Sequence, residues 1–167
     1  MAFFDLLVLD IDGTLANLDH RLHLIATPPV RSKLDHGIPP STSERWDMFY
    51  KACKDDSVIE HALLGVRYLL PHAREMLYCT GRPVTYRDTT LEWLIQKGFP
   101  YGPLLMRPAD SHASSIAVKA SLLSVHRGKR VLSIEDDADN IEMMHKLGFA
   151  TMLSPHCWKA LHEGKAT

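Results

Sequence analysis

The sequence has no long hydrophobic run. Across its 167 residues no apolar stretch approaches the ~18–20 residues that a membrane-spanning helix needs, so no membrane association is expected. Cysteine is scarce. Cys53, Cys79 and Cys157 are odd in number and widely spaced, which leaves no disulfide framework and no zinc motif; each is expected to be a small buried or half-buried side chain. No basic region and no signal-like cleavage site accompany the first apolar run, so the expected compartment is the cytoplasm. There is no Gly-x-x-x-x-Gly-Lys-Ser/Thr, hence no kinase-type phosphate loop. Net charge is only −1, which argues against a general nucleic-acid binder. Histidine is plentiful at ten residues but scattered. His20 and His23 share a helical spacing and have no third ligand nearby to make a zinc site.

What is present is an ordinary soluble composition, 46% apolar and 23% charged, long enough for one domain (1–167) with a real core. The most informative stretch is Leu6 to Leu15, LLVLDIDGTL. Leu6 to Leu9 reads as a buried strand. Asp10 and Asp12 follow at i and i+2, so in extended chain both carboxylates point to one face, at the strand end where open parallel sheets place ligands. One could serve as nucleophile and magnesium ligand, the other as proton donor and acceptor. Gly13 permits close approach or positive φ, and Thr14 offers a hydroxyl. The plainer reading is a hairpin turn at Asp-Gly.

Further along, three more strand ends carry chemistry. Arg74 to Cys79 reads as a strand followed at once by Thr80-Gly81-Arg82, a hydroxyl, an exposed backbone N–H and a two-pronged cation suited to a phosphoryl group. Leu104 to Arg107 reads as a short strand with Arg107 at its end, a candidate for the same pocket. Val131 to Ile134 runs into Glu135-Asp136-Asp137-Ala138-Asp139-Asn140; four acids after a buried strand need water or a cation. With Asp10 they could complete an oxygen cage for Mg²⁺, while Asp137 and Asp139 suit solvent or a helix cap. Lys119, in a helix expected over Ser114 to His126, would offset the carboxylates. From Arg67 to Arg130 the chain holds ten Lys/Arg against four Asp/Glu, a bias that suits an anionic substrate.

Between these pieces the sequence predicts a short helix or turn over Ala16 to Ile25, with Arg21 placed to reach back toward a phosphate or to lie in solvent. A loop is expected over Thr27 to Ser43. A helix with Trp46, Phe49, Tyr50 and Cys53 on one face is expected to start at a Ser41 or Ser43 cap. One amphipathic helix is predicted over Asp55 to Leu70. Helices over Tyr86 to Lys97 and Ile141 to Leu147 should end at Gly98 and Gly148. Phe149 to Leu153 reads as an edge strand and Trp158 onward as a terminal helix. Strands alternating with helices argue for a parallel α/β sandwich.

Asp10-Ile11-Asp12-Gly13-Thr14, Thr80, Lys119 and the Glu135–Asn140 cluster, in that order, resemble the four motifs of the haloacid dehalogenase-like (HAD) phosphohydrolase superfamily. The resemblance covers roughly Leu6 to Leu153. It implies an α/β three-layer sandwich with a Rossmann-like parallel sheet and a small flap or helical cover, residues 16–60, after the first strand. It further implies Asp10 as nucleophile, Asp12 as general acid/base, and Thr80 and Lys119 as phosphate partners. Mg²⁺ would be held by Asp10, Asp136 and the Asp12 backbone carbonyl, with Glu135 and Asn140 as second choices. The set Asp-x-Asp-Gly-Thr-Leu-Ala, Thr-Gly-Arg, Leu-Met-Arg, Val-Lys and Glu-Met-x-x-x-x-Gly also resembles the 3′-phosphatase domain of the phage-type polynucleotide kinase–phosphatases. It departs from them by having Glu135-Asp136-Asp137 where Asp-Asp-Arg is usual. The implied activity is a Mg²⁺-dependent phosphomonoesterase acting on a phosphorylated nucleic-acid end or a nucleotide. Gly81, Arg82, Arg21 and Arg107 are the candidate substrate-binding residues. A sugar-phosphate phosphatase and a non-catalytic phosphate- or partner-binding domain are the alternatives.

Overall fold

The computed structural model describes residues 2–26 and 41–164. Its centre is β1, Phe4–Leu9, where the apolar run was expected. Buried on both faces, it pairs in parallel with β4 (Ala73–Pro83) on one side and β6 (Val131–Glu135) on the other. With β5 (Leu104–Arg107) and β7 (Ala150–Leu153) this makes a five-stranded parallel sheet of order β5-β4-β1-β6-β7.

The alternation of β1 sorts its side chains into two cores. Leu7 and Leu9, with Ile11 just beyond the strand, pack with residues of α3 (Ala62–Leu69), α4 (Arg87–Gln96) and α7 (His156–His162), among them Val66, Trp93 and Trp158. Leu6 and Val8 pack with Leu123 of α5 (Ser115–Leu123) and with Met143 and Met144 of α6 (Ala138–Lys146). Helices thus cover both faces, giving the expected three-layer α/β sandwich. Helix α3 approaches α7 closely at Gly65, where a Cβ would meet the Trp158 ring at 2.4 Å.

The chain returns to both sides of β1, so the crevice at its C-terminal end is the topological switch point of the sheet, the usual ligand position in such folds. The expected stops hold at Gly98 and Gly148, both at positive φ, and Asp137 caps α6 by accepting from the Asn140 N–H at 2.8 Å. The three cysteines are free and buried. No described helix is long and apolar enough to cross a membrane.

Two expectations differ in the segment after β1. Ala16–Asn17 is not helical. As β2 it pairs antiparallel with β3, Ser57–Val58, and only Asp19–Leu22 forms a short helix, α1. The single helix expected over Asp55 to Leu70 is therefore broken: Ser57 and Val58 are taken by the pairing, His61 adopts φ 65°, and the helix begins at Ala62. Helix α2, Thr42–Lys51, starts at Ser41 with a reciprocal capping box to Glu44. The loop expected over Thr27 to Ser43 lies outside the described residues from 27 to 40.

Candidate active site

Asp10 follows β1 directly and is buried. Its Oδ1 lies 2.9 Å from Lys119 Nζ, which also reaches Glu135 Oε2 at 2.6 Å. Lys119 comes from the second turn of α5 and Glu135 from the last residue of β6, so three elements meet over the crevice. Asp136, one residue beyond β6, completes the group. Oxygens of Asp10, Glu135 and Asp136 all lie within 4.8 Å of one another. The Thr14 hydroxyl sits 3.3 Å from both Asp10 Oδ2 and Asp136 Oδ1.

Gly13 makes this convergence possible. It sits at φ +80°, and a Cβ on it would lie 2.1 Å from Asp136 Oδ2. The backbone then turns tightly, with the Leu15 and Ala16 N–H groups both donating to the Ile11 carbonyl at 2.8 Å.

Three carboxylates around one ammonium leave an excess of negative charge. Burial first, and then the charge of Glu135, push the Asp10 carboxyl up to about 7 against the pull of Lys119. Burial and Asp10 push Asp136 up to about 6, and burial likewise raises Glu135. Protons are thus held where a cation would be welcome. The buried Asn140 side chain, lining the same cleft, leaves its Oδ1 without a hydrogen-bond partner. An all-oxygen set beside an unsatisfied amide oxygen fits a hard divalent ion such as Mg²⁺.

Asp12 is placed differently. Its carboxylate turns to two guanidinium groups: Arg21 Nη2 at 2.7 Å, and Arg82 through Nε at 3.0 Å and Nη2 at 2.5 Å. Burial works to raise Asp12, but Arg82 and then Arg21 outweigh it and hold the carboxyl below the ordinary carboxylate range. Arg82 was expected to grip a phosphate and Arg21 to reach one or to lie in solvent; both are fully buried and every guanidinium nitrogen has a protein acceptor. Arg21 donates to Asp12, Asp56 and the Phe49 carbonyl. Arg82 donates to Asp12, Asp56 and the Thr90 hydroxyl.

Asp56 is the residue that sequence reasoning missed. Fully buried, it accepts from Arg21 Nε at 2.7 Å, Arg21 Nη2 at 2.7 Å and Arg82 Nη2 at 2.9 Å, and pairs with His20 Nε2 at 2.8 Å. Its backbone carbonyl takes the Trp93 indole N–H. The only local hint was an acid next to the β3 turn.

Thr80 is fully buried, and its Oγ1 accepts from the Arg82 backbone N–H at 3.2 Å. Gly81 and Arg107 line the cleft together with Asp10, Asp12, Lys119 and Asp136. Arg107 donates from Nε to the Gly81 carbonyl at 2.9 Å and from Nη1 to the Ala113 carbonyl. It has no carboxylate partner among the described residues. The structure therefore brings Asp10, Lys119, Glu135 and Asp136 into one cluster, sets Asp12 beside it on a separate arginine clamp, and leaves Arg107 as a half-buried cation on the cleft wall.

No family model and no curated protein matches this sequence. Solved structures do. A chain of the Pnkp1/Rnl/Hen1 RNA repair complex superposes with a TM-score of 0.64 at 17% identity, over 90% of this chain and 42% of that one. The haloacid dehalogenase-like family hydrolase SP0104 from Streptococcus pneumoniae gives 0.61 at 14% identity, over 92% and 85%. The HAD domain of the effector protein Lem4 from Legionella pneumophila gives 0.52 at 15%, over 98% and 94%. The present chain spans less than half the length of the RNA-repair chain it resembles. The fold is the HAD-like fold that its sequence motifs implied.

Proposed function

We propose that the chain is a Mg²⁺-dependent phosphomonoesterase that works through an aspartyl-phosphate and acts on a phosphorylated nucleic-acid end or a nucleotide. One observation carries this reading: Asp10, buried at the sheet's switch point, sits 2.9 Å from Lys119 within an oxygen cluster 4.8 Å across. A buried carboxylate facing a fixed ammonium and a divalent-ion site is arranged to meet a phosphoryl group. When bound, Mg²⁺ would be held by Asp10, Asp136 and the Asp12 carbonyl, with Glu135 and Asn140 beside them, and would neutralise phosphoryl charge.

The residues divide the work as follows. An Asp10 oxygen attacks phosphorus and the bond to the leaving oxygen breaks; Lys119, the Thr80 hydroxyl and the Gly81 N–H hold the non-bridging oxygens. Asp12 gives a proton to the leaving alkoxide, then takes one from the water that attacks the aspartyl-phosphate, releasing inorganic phosphate and restoring Asp10. In the resting arrangement two guanidinium groups keep Asp12 ionised, which suits the second half of the cycle. A phosphate dianion at Asp10 raises the proton affinity of the nearby Asp12 carboxylate by like-charge repulsion, so Asp12 takes from solvent the proton the first half needs. Arg107 supplies positive charge at the cleft wall for the rest of an anionic substrate.

The test is phosphate release by purified protein from 3′- and 5′-phosphorylated oligonucleotides, mononucleotides and sugar phosphates, with Mg²⁺ or chelator. Mg²⁺-dependent turnover favouring the nucleotide-bearing esters supports the reading. Preference for sugar phosphates supports a metabolite phosphatase, and no turnover on any ester argues for a domain that only binds.

A further inference from the structure

Helix α2 carries Trp46, Phe49 and Tyr50 at i, i+3 and i+4, on one side of a helix whose N-terminus is closed by a capping box. Phe49 is buried, and the Arg21 guanidinium lies 4.1 Å above its ring. The other two rings run outward. The Trp46 ring centre is 5.7 Å from that of Tyr50 with the planes 28° apart. Tyr50 is in turn 5.5 Å from Tyr86 at 35°. Tyr86 is fixed at its far end by donating its hydroxyl to Asp47 Oδ1. The result is a run of three rings in contact, the outer pair stacked and the inner pair tilted.

This run of rings lies on the same cleft as Asp10, Asp12, Lys119 and Asp136. Tyr50 is near enough to the reacting groups that, after burial, the charges of Arg107 and Asp12 are the strongest influences on its hydroxyl. Packing alone does not account for the outermost ring. Trp93 and Trp158 are 1% and 0% exposed, whereas Trp46 is 41% exposed. An indole 41% exposed on a charged cleft, stacked on Tyr50 and edge-on to Phe49, is a surface that a flat ring can extend. Arg107 on the same cleft has no carboxylate partner among the described residues and remains available to an anion.

We propose that Trp46, Tyr50 and Tyr86 form a stacking platform for the base of a nucleotide whose phosphate monoester sits at Asp10. This deepens the phosphomonoesterase reading and rests on it. A flat, polarisable base gains from continuing a ring stack, whatever its sequence identity. A small aliphatic phosphate has no group to place there.

The test separates the two readings by measuring binding without turnover. An Asp10→Asn protein is titrated with adenosine 3′-monophosphate and with glycerol phosphate while Trp46, the one exposed indole, reports by fluorescence. Saturable quenching by the nucleotide and none by glycerol phosphate is expected. By calorimetry in the same background, Trp46→Ala should weaken nucleotide binding about tenfold, and Trp46→Phe should restore it to within about threefold. A 3′-phosphorylated trinucleotide that binds more tightly than the mononucleotide assigns the platform to a nucleic-acid end; equal binding assigns it to free nucleotides. Equal affinity for nucleotide and glycerol phosphate, or an unchanged Kd in Trp46→Ala, overturns the platform. A wild-type protein that binds nucleotide through Trp46 yet releases no phosphate keeps the platform and overturns the enzyme.

Discussion

Lys119 Nζ lies 2.9 Å from Asp10 Oδ1, with its side chain only 3% exposed. It is the only ammonium among the groups that face Asp10, Glu135 and Asp136 in the described contacts. Lys119→Met should therefore lower kcat by about 10²–10³, the usual loss when one charge-stabilising donor is removed. The same change should cost about 3–5 kcal/mol of stability, because the carboxylates it faces stay buried. Phosphate-release kinetics and urea unfolding check the two effects. A variant within threefold of wild type in kcat contradicts the assignment.

Asp56 should be as sensitive to substitution as any residue in the cluster, although it touches no reacting atom. It accepts from Arg21 and Arg82, which are both fully buried. Asp56→Ala would leave two guanidinium groups with a shared acceptor missing, at a cost of about 3–5 kcal/mol. The arginines would then shift on Asp12, so kcat should fall in any fraction that folds. Urea midpoints measure the first effect, and a change below about 0.5 kcal/mol, as at an ordinary surface site, would contradict it.

Gly13→Ala tests the turn. The new Cβ would sit 2.1 Å from Asp136 Oδ2 at a φ of +80°, so Asp136 must move and the backbone is strained by about 1–2 kcal/mol. Mg²⁺ affinity, read by calorimetry, should fall by about tenfold or more, since magnesium demands near-ideal placement of its oxygens. Unchanged affinity would mean that Asp136 lies outside the ion site.

The pH dependence of the metal-free protein has a defined sign. Asp10 is pushed up to about 7 and Asp136 to about 6, from an ordinary 3.8. Between about pH 4 and 7 the folded protein holds protons that the unfolded chain has released, so these two groups make stability fall as pH rises through that window. Below it their penalty vanishes. In chelator, the difference in melting temperature between wild type and an Asp10→Asn, Asp136→Asn double variant should therefore move against the wild type on going from about pH 4 to about pH 7. Added Mg²⁺ should recover the wild type at the upper end and not the variant. A difference that does not change with pH contradicts the charge excess.

Much of this arrangement is legible in the sequence because it is written at strand ends. Leu6 to Leu9 declares a buried strand by composition alone, and acids directly after such a run have few places to go besides a crevice. The same logic finds Thr80, Arg107 and the acids from Glu135 to Asp139, whereas Lys119, and Asp136 among those acids, are singled out by the resemblance to the HAD motifs. What stays hidden depends on partners distant in the chain. Asp56 meets Arg21 and Arg82 across 35 and 26 residues, and in sequence it looks like one more acid in Lys54-Asp55-Asp56. Without Asp56 nothing tells whether a guanidinium near Asp12 faces a substrate or the interior. The helix expected over Asp55 to Leu70 failed for the same reason. Its amphipathic spacing is real from Ala62 onward, but Ser57 and Val58 answer to Ala16 and Asn17, forty residues earlier.

The central claim is that Asp10 itself becomes phosphorylated. Protein mixed with excess phosphomonoester and Mg²⁺, quenched in acid within one turnover and digested, should yield the peptide carrying Asp10 with one added phosphoryl group by mass spectrometry. With an aryl phosphate, whose leaving group departs without a proton donor, the adduct should accumulate further in Asp12→Asn, which lacks the base for its hydrolysis, and be absent in Asp10→Asn. Steady-state phosphate release with no adduct on that peptide in either wild type or Asp12→Asn, or release that persists in Asp10→Asn, would contradict the account.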